Sequence, residues 1–273
     1  MNLLNSLQTL VKPASDRLAK TVPECRLKDV LRAHFYNQLN PECKMHVLRN
    51  GEFFINAMGT AFRVSHVPAF EVGNDLIALR GYLSASRFQT GDVVVDAGAS
   101  GSGIATICFS KMVGETGRVI ALEPDKKSLE TLEKNLRLND IKNVITVNKG
   151  LWNKVETLSF NSGQGQSSSV AFTGEAGAEK CTKINCVDLD QLLTDLQIPK
   201  VAFIKMDIEG AEVEALEGMQ NTLLTGKPSL AIASYHFREG KQTYLAMEKT
   251  LRMLGYDVHT AHPIHLTTYA HMA

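Results

Sequence analysis

The sequence has no excess of either charge. Its 273 residues carry 29 Lys+Arg and 29 Asp+Glu, so the formal net charge is zero. That balance argues against a broad basic face for nucleic acid, though not against a local patch. There is no apolar run near the roughly 18 residues that cross a bilayer, so no membrane span is expected. The opening stretch, MNLLNSLQTLVK, lacks the basic start and continuous apolar core of a secretory signal. Cysteine is scarce and unpatterned: Cys25, Cys43, Cys108, Cys181 and Cys186 include no CxxC pair. This argues against a disulfide framework and suits reduced thiols in a cytoplasmic setting. With 44% apolar and 21% charged residues, the composition is that of a folded globular chain rather than a disordered one.

Hydrophobic spacing orders the rest. Leu3, Leu4, Leu7, Leu10 and Val11 recur at helix period, and a second apolar patch holds Val30, Leu31, Phe35 and Leu39, so residues 1–40 read as helical. Asn50-Gly51 between two short apolar runs predicts a hairpin with a two-residue turn, both central positions having positive φ. A helix is expected over residues 75–90. From Val93 the texture changes: Val93-Val94-Val95 is the continuous β-branched run of a strand buried on both faces. Strands are expected again at 119–122, 144–147, 201–205 and 230–234, with helices at 104–112, 126–139, 211–224 and 242–254. Two final strands, 256–259 and 264–269, flank His262-Pro263 and should form an antiparallel pair. This alternation predicts a Rossmann-like parallel sheet with helices on both faces. About 50 residues separate the third and fourth strands of this series, where most connections need only a few. That interval contains two strand-like stretches, 156–160 and 182–187, around a small polar run, residues 161–169. A polar run tied at both ends near a ligand edge is expected to act as a lid over an acceptor.

The chemistry-bearing residues cluster after the strands. Val95-Asp96-Ala97-Gly98-Ala99-Ser100-Gly101-Ser102-Gly103 lies between a strand and a helix, where open α/β sheets bind ligands. Its glycine order differs from the G-x-G-x-x-G dinucleotide fingerprint. An acid at Asp96 would repel a pyrophosphate but suits a ligand with an ammonium group, such as S-adenosylmethionine. Glu123, before Pro124 at the end of the second strand, can accept two hydrogen bonds from a ribose diol. Gly150, Leu151 and Trp152, after the third strand, are expected beside an adenine. Lys205-Met206-Asp207-Ile208-Glu209-Gly210-Ala211-Glu212 brings Asp207 and Glu209 to the edge that holds Asp96. The bland alternatives are a helix cap for Asp207 and first-turn acids for Glu209 and Glu212. His236 follows the fifth strand and can accept a proton near neutral pH. The trio His259, His262 and His265 straddles a hairpin whose alternation scatters it, so no metal site is expected there.

Taken together, Asp96-Ala97-Gly98-Ala99, Glu123-Pro124, Ser167-Ser168-Ser169, Leu189-Asp190-Gln191-Leu192-Leu193 and Lys205–Glu212 resemble the FkbM family of S-adenosylmethionine-dependent methyltransferases. The resemblance spans residues 91–258. It implies the seven-stranded methyltransferase sheet with a reversed last strand and O-methyl transfer to a hydroxyl of a sugar, polyketide or related metabolite. The expected organisation is a helical and hairpin extension, residues 1–75, before a methyltransferase domain, residues 76–273. The expected cofactor residues are Asp96, Gly98, Ala99, Gly101, Glu123, Pro124, Gly150, Leu151 and Trp152. Asp207 and His236 are the candidate catalytic bases, in either order, and S-adenosylhomocysteine is the expected product. No metal is assigned; a divalent ion bridging Asp207 and the acceptor is the alternative. The partner is a small-molecule or glycan hydroxyl acceptor, without nucleic acid, and a homo-oligomer is compatible with the sequence. Two other readings stay open: a NAD(P)-dependent oxidoreductase and a non-catalytic ligand-binding protein of the same fold.

Overall fold

Val94, Val95, Asp96 and Ala97 have no exposed surface, and this run forms β4 (Val93–Ala97) at the middle of a seven-stranded sheet. The computed structural model describes residues 25–65, 69–161, 169–170, 181–238, 241–261 and 265–272. The stripe at Leu3–Val11, most of the polar run at 161–169, and His262-Pro263 lie outside these residues.

Beside β4 run β5 (Arg118–Leu122) and β6 (Val144–Val147) on one side, and β11 (Phe203–Met206) and β12 (Ser229–Ala233) on the other, all parallel. β15 (Asp257–Ala261) and β16 (Thr267–His271) complete the sheet in the order β15-β16-β12-β11-β4-β5-β6. β16 pairs antiparallel with both its neighbours, which makes it the one reversed strand. Strand alternation divides the core into two layers. Val94, Val119, Ala121, Phe203 and Ala231 face one layer, and Val95, Ile120, Ile204, Met206 and Ile232 the other. The first layer is filled by α2 (Ala69–Leu83), α3 (Ile104–Val113) and α4 (Lys126–Leu138); the second by α5 (Leu189–Asp195), α6 (Glu212–Glu217) and α7 (Tyr244–Met253). No helix among the described residues is long and apolar enough to cross a membrane.

The interval between β6 and β11 builds a second sheet. β7 (Gly150–Leu151) pairs parallel with β10 (Cys181–Val187), which pairs antiparallel with β8 (Glu156–Asn161), and β8 carries β9 (Ser169–Val170). Both strand-like stretches expected there are therefore real, and they pair with each other.

Four expectations change. The hairpin of β1 (Lys44–Val47) and β2 (Phe53–Ala57) continues into β3 (Thr60–Val64), an unexpected third strand. Its turn is wider than two residues: Leu48 N–H donates to Glu52 O at 2.8 Å, and only Gly51 within it has positive φ, +85°. The helix expected over 75–90 is α2, shifted toward the N-terminus. Asp29 of α1 (Arg26–Leu39) accepts from the Ala69 N–H at 3.2 Å, a start signal supplied from elsewhere in the chain. At the other end the Ser84 and Ser86 hydroxyls bond the carbonyls of Gly81 and Leu83, competing with helix continuation. Thirdly, Val30, Leu31 and Phe35 are exposed, while α1 buries Ala33 and Tyr36. Asn37 sets that rotation: its amide donates to Met45 O at 2.7 Å and its carbonyl accepts from Met45 N at 2.8 Å. Finally, the helix expected over 211–224 ends at Glu217 and is followed by a wide turn, Thr222–Gly226. A Cβ at Gly218 would sit 2.2 Å from Trp152 O, so chain packing interrupts the helix.

The expected boundary after residue 75 falls inside α2. Hairpin residues Met45, Phe53, Ile55 and Phe62 share the first core layer with Val94 and Ile104. Asn135 of α4 ties the two parts together. Fully buried, it accepts from Ser65 N and Ser65 Oγ at 2.9 and 3.1 Å and donates to Ser102 O at 2.9 Å. Asn135→Ala leaves a buried N–H and a buried carbonyl unpaired, so it should lower unfolding free energy by about 2–3 kcal/mol with an unchanged urea m-value. A loss below ~1 kcal/mol would show that solvent replaces these bonds.

Candidate active site

The carboxyl ends of β4, β5, β11 and β12 share one edge, and the sheet order reverses between β4 and β11. Open α/β sheets hold ligands at such a switch point. Asp96 and Lys205 are register partners across this β4–β11 junction. Lys205 Nζ lies 3.0 Å from Asp96 Oδ1, and Thr106 Oγ1 donates to Asp96 Oδ2 at 2.6 Å. The same ammonium donates to Gly98 O at 2.6 Å and Ala97 O at 3.3 Å. Burial acts against the charged lysine, but the Asp96 and Asp207 carboxylates outweigh it and raise its pKa above the ordinary value. The Asp96 carboxylate is thus wholly buried and committed to Lys205 and Thr106.

The turn is shaped by its neighbours. Gly98 has φ +75°, and a Cβ there would lie 1.9 Å from Asp207 O; only glycine lets the outgoing chains of β4 and β11 pass. Gly98 and Ala99 N–H groups fold back onto Leu122 O at 3.0 and 3.1 Å. Gly101 differs, with ordinary φ and nothing closer than 3.6 Å to an added Cβ. Neither strain nor packing demands glycine there. Ser100, between them, takes the left-handed conformation at φ +52°.

Glu123 follows β5 and is half-buried. Its Oε1 accepts from Asp125 N at 2.9 Å, and burial raises its pKa, opposed by backbone hydrogen bonds from Asp125 and Ser100. Two backbone bonds fix the carboxylate and leave acceptor capacity over, since an ionised carboxylate offers about four lone-pair sites. Asn148 donates to Glu123 O and Pro124 O at 2.9 and 3.0 Å, joining this loop to the chain after β6. Gly150 and Leu151 are buried, and a Cβ on Gly150 would lie 3.9 Å from Pro124. Trp152 is also buried, with Nε1 donating to Glu156 at 2.6 Å. The candidate adenine-side residues therefore adjoin the Glu123–Pro124 loop.

The chain after β11 and β12 brings a second group together. Asp207 accepts from Tyr82 Oη at 2.9 Å and from Tyr235 Oη at 2.9 and 3.0 Å. His236 Nε2 is 3.7 Å from both Asp207 Oδ1 and Glu209 Oε2, and Nδ1 is 3.0 Å from Glu212 Oε1. Glu212 is fully buried at the start of α6, where Oε1 also accepts from Ile208 N and Gly210 N, each at 3.2 Å. Burial pushes the His236 pKa down, but the Glu212 hydrogen bond and charge, then Asp207 and Glu209, overcome this and raise it to about 9. Burial and the charge of Asp207 raise the Tyr235 pKa, and the same two causes raise that of Tyr82. Burial likewise raises that of Glu209, whose backbone is left-handed at φ +58°.

Asp207, Glu212 and His236 place ligand-type atoms within 4.8 Å of one another. The ring turns Nδ1 to Glu212 and Nε2 toward Asp207 and Glu209, so its ion-pair contacts are to three carboxylates. His259 stacks on Tyr269 and His265 meets Tyr82 edge-on. Asp190 of the Leu189–Leu193 segment has a structural task, accepting from Asn221 N, Thr222 N and Thr222 Oγ1 at 2.5–2.8 Å. The sequence groups Asp207 with His236 but signals no role for Tyr82, Tyr235 or Lys205, and in it Glu212 reads as a first-turn acid.

Two measurements follow. Lys205→Met strands the buried Asp96 charge and should cost about 3–5 kcal/mol in denaturant unfolding, of which Asp96→Asn in the same chain should restore most. A double variant no more stable than the single one would show that the pair is not the source. His236 has a folded pKa above its ordinary 6.5, so its stabilisation is full below pH 6.5 and lost as pH rises through about 9. The melting temperature of the wild type should fall over that range relative to His236→Gln. Parallel curves would contradict the assigned charge.

Known proteins resemble this chain over the same strands. A family model described as Methyltransferase FkbM domain matches residues 96–258. The hexuronic acid methyltransferase AglP of Haloferax volcanii is 30% identical over 134 residues, which are 48% of this chain and 52% of the relative. A crystal structure of the methyltransferase FkbM from Methylobacillus flagellatus aligns with a TM-score of 0.52 at 24% identity, covering 69% of this chain and 46% of that one. The chain spans about half the length of each relative. Since the family match takes in more than half of the 273 residues, the chain belongs to the FkbM methyltransferase family.

Proposed function

We propose that this chain is an S-adenosylmethionine-dependent O-methyltransferase acting on a hydroxyl of a sugar or related metabolite. The observation that carries this reading is the pairing of two preformed parts on one sheet edge. One is a glycine turn with a fixed carboxylate at Glu123; the other is an imidazole held by Glu212 beside Asp207. The cofactor residues fit the group: Gly101 has no structural reason to be glycine, and Glu123 retains acceptor capacity for a diol. Gly98, Ala99, Gly101, Glu123, Pro124 and the Gly150–Trp152 segment would hold it. Asp96 would act through Lys205 and the turn carbonyls. A nicotinamide reading accounts less well for the glycine order. The sugar is favoured because AglP, the relative, is a hexuronic acid methyltransferase.

When bound, the cofactor supplies a methyl group already activated on a sulfonium. The chain's task is to orient the acceptor oxygen and take its proton. His236 is the better placed base: Glu212 holds Nδ1, leaving Nε2 toward Asp207 and Glu209. Asp207 already accepts two tyrosine hydroxyls, and its charge stabilises the imidazolium that forms.

Isothermal titration with S-adenosylhomocysteine tests the cofactor half. Glu123→Ala should weaken binding by about 1.5–3 kcal/mol, the worth of hydrogen bonds to a charged group. Unchanged affinity in a folded variant would remove Glu123 from the site. The catalytic half is read from pH profiles with labelled cofactor and sugar acceptors. Because the base must shed its own proton, kcat/KM should climb with pH and level off near 9. His236→Ala should abolish that climb and lower turnover by roughly 10²–10⁴, with cofactor affinity unchanged. A variant that keeps the wild-type profile would shift the role to Asp207, and loss of activity with a chelator would favour a bridging metal.

A further inference from the structure

We propose that Asp75, on the helix preceding the family segment, is the carboxylate that receives the α-ammonium of the cofactor's amino-acid end. The assignment rests on the cofactor reading above. The sequence pointed to Asp96 for that ammonium, but Asp96 has no exposed surface and is engaged by Lys205 and Thr106. The charge complement expected at the turn must come from elsewhere.

Asp75 reaches the turn from α2. Its Oδ2 accepts from Ser102 Oγ in a very short contact and from Ser100 Oγ at 3.5 Å. Ser100 and Ser102 flank Gly101, the glycine that neither backbone strain nor packing requires. One carboxylate oxygen therefore grips the turn, while among the described residues Oδ1 accepts no hydrogen bond and no Lys, Arg or His forms an ion pair with Asp75. A half-buried carboxylate without a cation of its own is an unfavourable arrangement that a cationic ligand relieves. Its surroundings agree: burial and the charges of Glu71 and Asp207 act against its ionised form, while Ser102 and the already-paired Lys205 favour it.

Helix geometry supplies the second support. Asp75 and Tyr82 are seven residues apart on α2, two turns along one face. Tyr82 donates to Asp207 at the acceptor end, so that face of α2 runs along the switch point from the glycine turn to the base cluster. A ligand with an adenosine at Glu123 and a charged amino-acid end would extend beneath this face. Asp75 lies outside residues 96–258, the stretch matched by the family model.

The test compares two thioether nucleosides on the full chain: S-adenosylhomocysteine, and 5′-methylthioadenosine, which lacks the amino-acid group. Asp75→Asn keeps the acceptor for Ser102 and removes the charge. It should weaken S-adenosylhomocysteine roughly 10- to 100-fold, as loss of a charge-assisted bond does, and leave methylthioadenosine within about twofold. Unchanged S-adenosylhomocysteine affinity overturns the assignment. Equal weakening of both ligands also overturns it, because Asp75 would then only shape the turn. Wild-type protein that binds neither ligand overturns the cofactor reading itself, and this assignment with it. The wild type offers an arm that needs no mutation. Asp75 has its pKa pushed up to about 6, facing Ser102 of the turn, Glu71 of its own helix, and Lys205 and Asp207 of the β11 segment. Lowering pH from 7.5 to 5 should therefore weaken S-adenosylhomocysteine about tenfold more than methylthioadenosine; the ratio of the two staying constant refutes the assignment.

Discussion

The site depends on one buried ion pair. Asp96 and Lys205 sit opposite each other on the two central strands, where the sheet order reverses. Ion pairs without solvent are poor sources of net stability, because desolvation offsets the attraction. Their usefulness here is geometric. A lysine ammonium has three donors, and Lys205 spends them on Asp96 and on the carbonyls of Ala97 and Gly98. Those carbonyls are where β4 ends and the glycine turn begins. An apolar pair of equal volume could fill the space but could not hold the turn's first peptides.

From that anchor the edge divides into two electrostatic regions. Toward β5, Glu123 is fixed by backbone N–H groups and keeps acceptor capacity. Toward β12, three carboxylates surround one imidazole, and Glu212, the most buried of them, holds it by Nδ1. Burial alone would neutralise the ring, and the three acids outweigh it and raise its pKa. The two loops between these regions, the glycine turn after β4 and the chain after β11, each contain a non-glycine residue in the left-handed region, Ser100 and Glu209. Such conformations persist only where surrounding contacts hold them; Glu212 accepts from the N–H groups on either side of Glu209, and the Ser100 hydroxyl contacts Asp75 and Ser102.

The parallel strands were legible because strands buried on both faces read as apolar runs between turn signals. The glycine turn and Glu123 were legible for the same reason, each lying directly after such a run. Legibility failed where a distant group decides the local outcome. The start of α2 is set by Asp29, forty residues earlier, and the rotation of α1 by Asn37 on Met45. β3 escaped notice because Thr60–Val64 is short and half exposed. Glu212 looked like a helix-dipole acid, and its bond to His236 joins elements that adjoin only in the folded sheet. Tyr82 meets Asp207 across 125 positions, a relation that no local spacing can encode.

That last contact changes how the extension is to be understood. Residues before Asp96 lie outside the family match, and the described ones among them form α1, the sheet of β1 to β3, and α2. Yet α2 presents Asp75 to the glycine turn and Tyr82 to Asp207, and Asn135 bonds both Ser65 of the extension and Ser102 of the turn. The strands supply an edge with chemistry on it but leave its upper face open. Covering that face takes an element rigid enough to hold two polar groups two helical turns apart, and α2 is held so by the apolar side chains of Val72, Leu76 and Leu79 beneath it. The hydrophobic packing of the extension is therefore what holds Asp75 against the glycine turn and Tyr82 against Asp207.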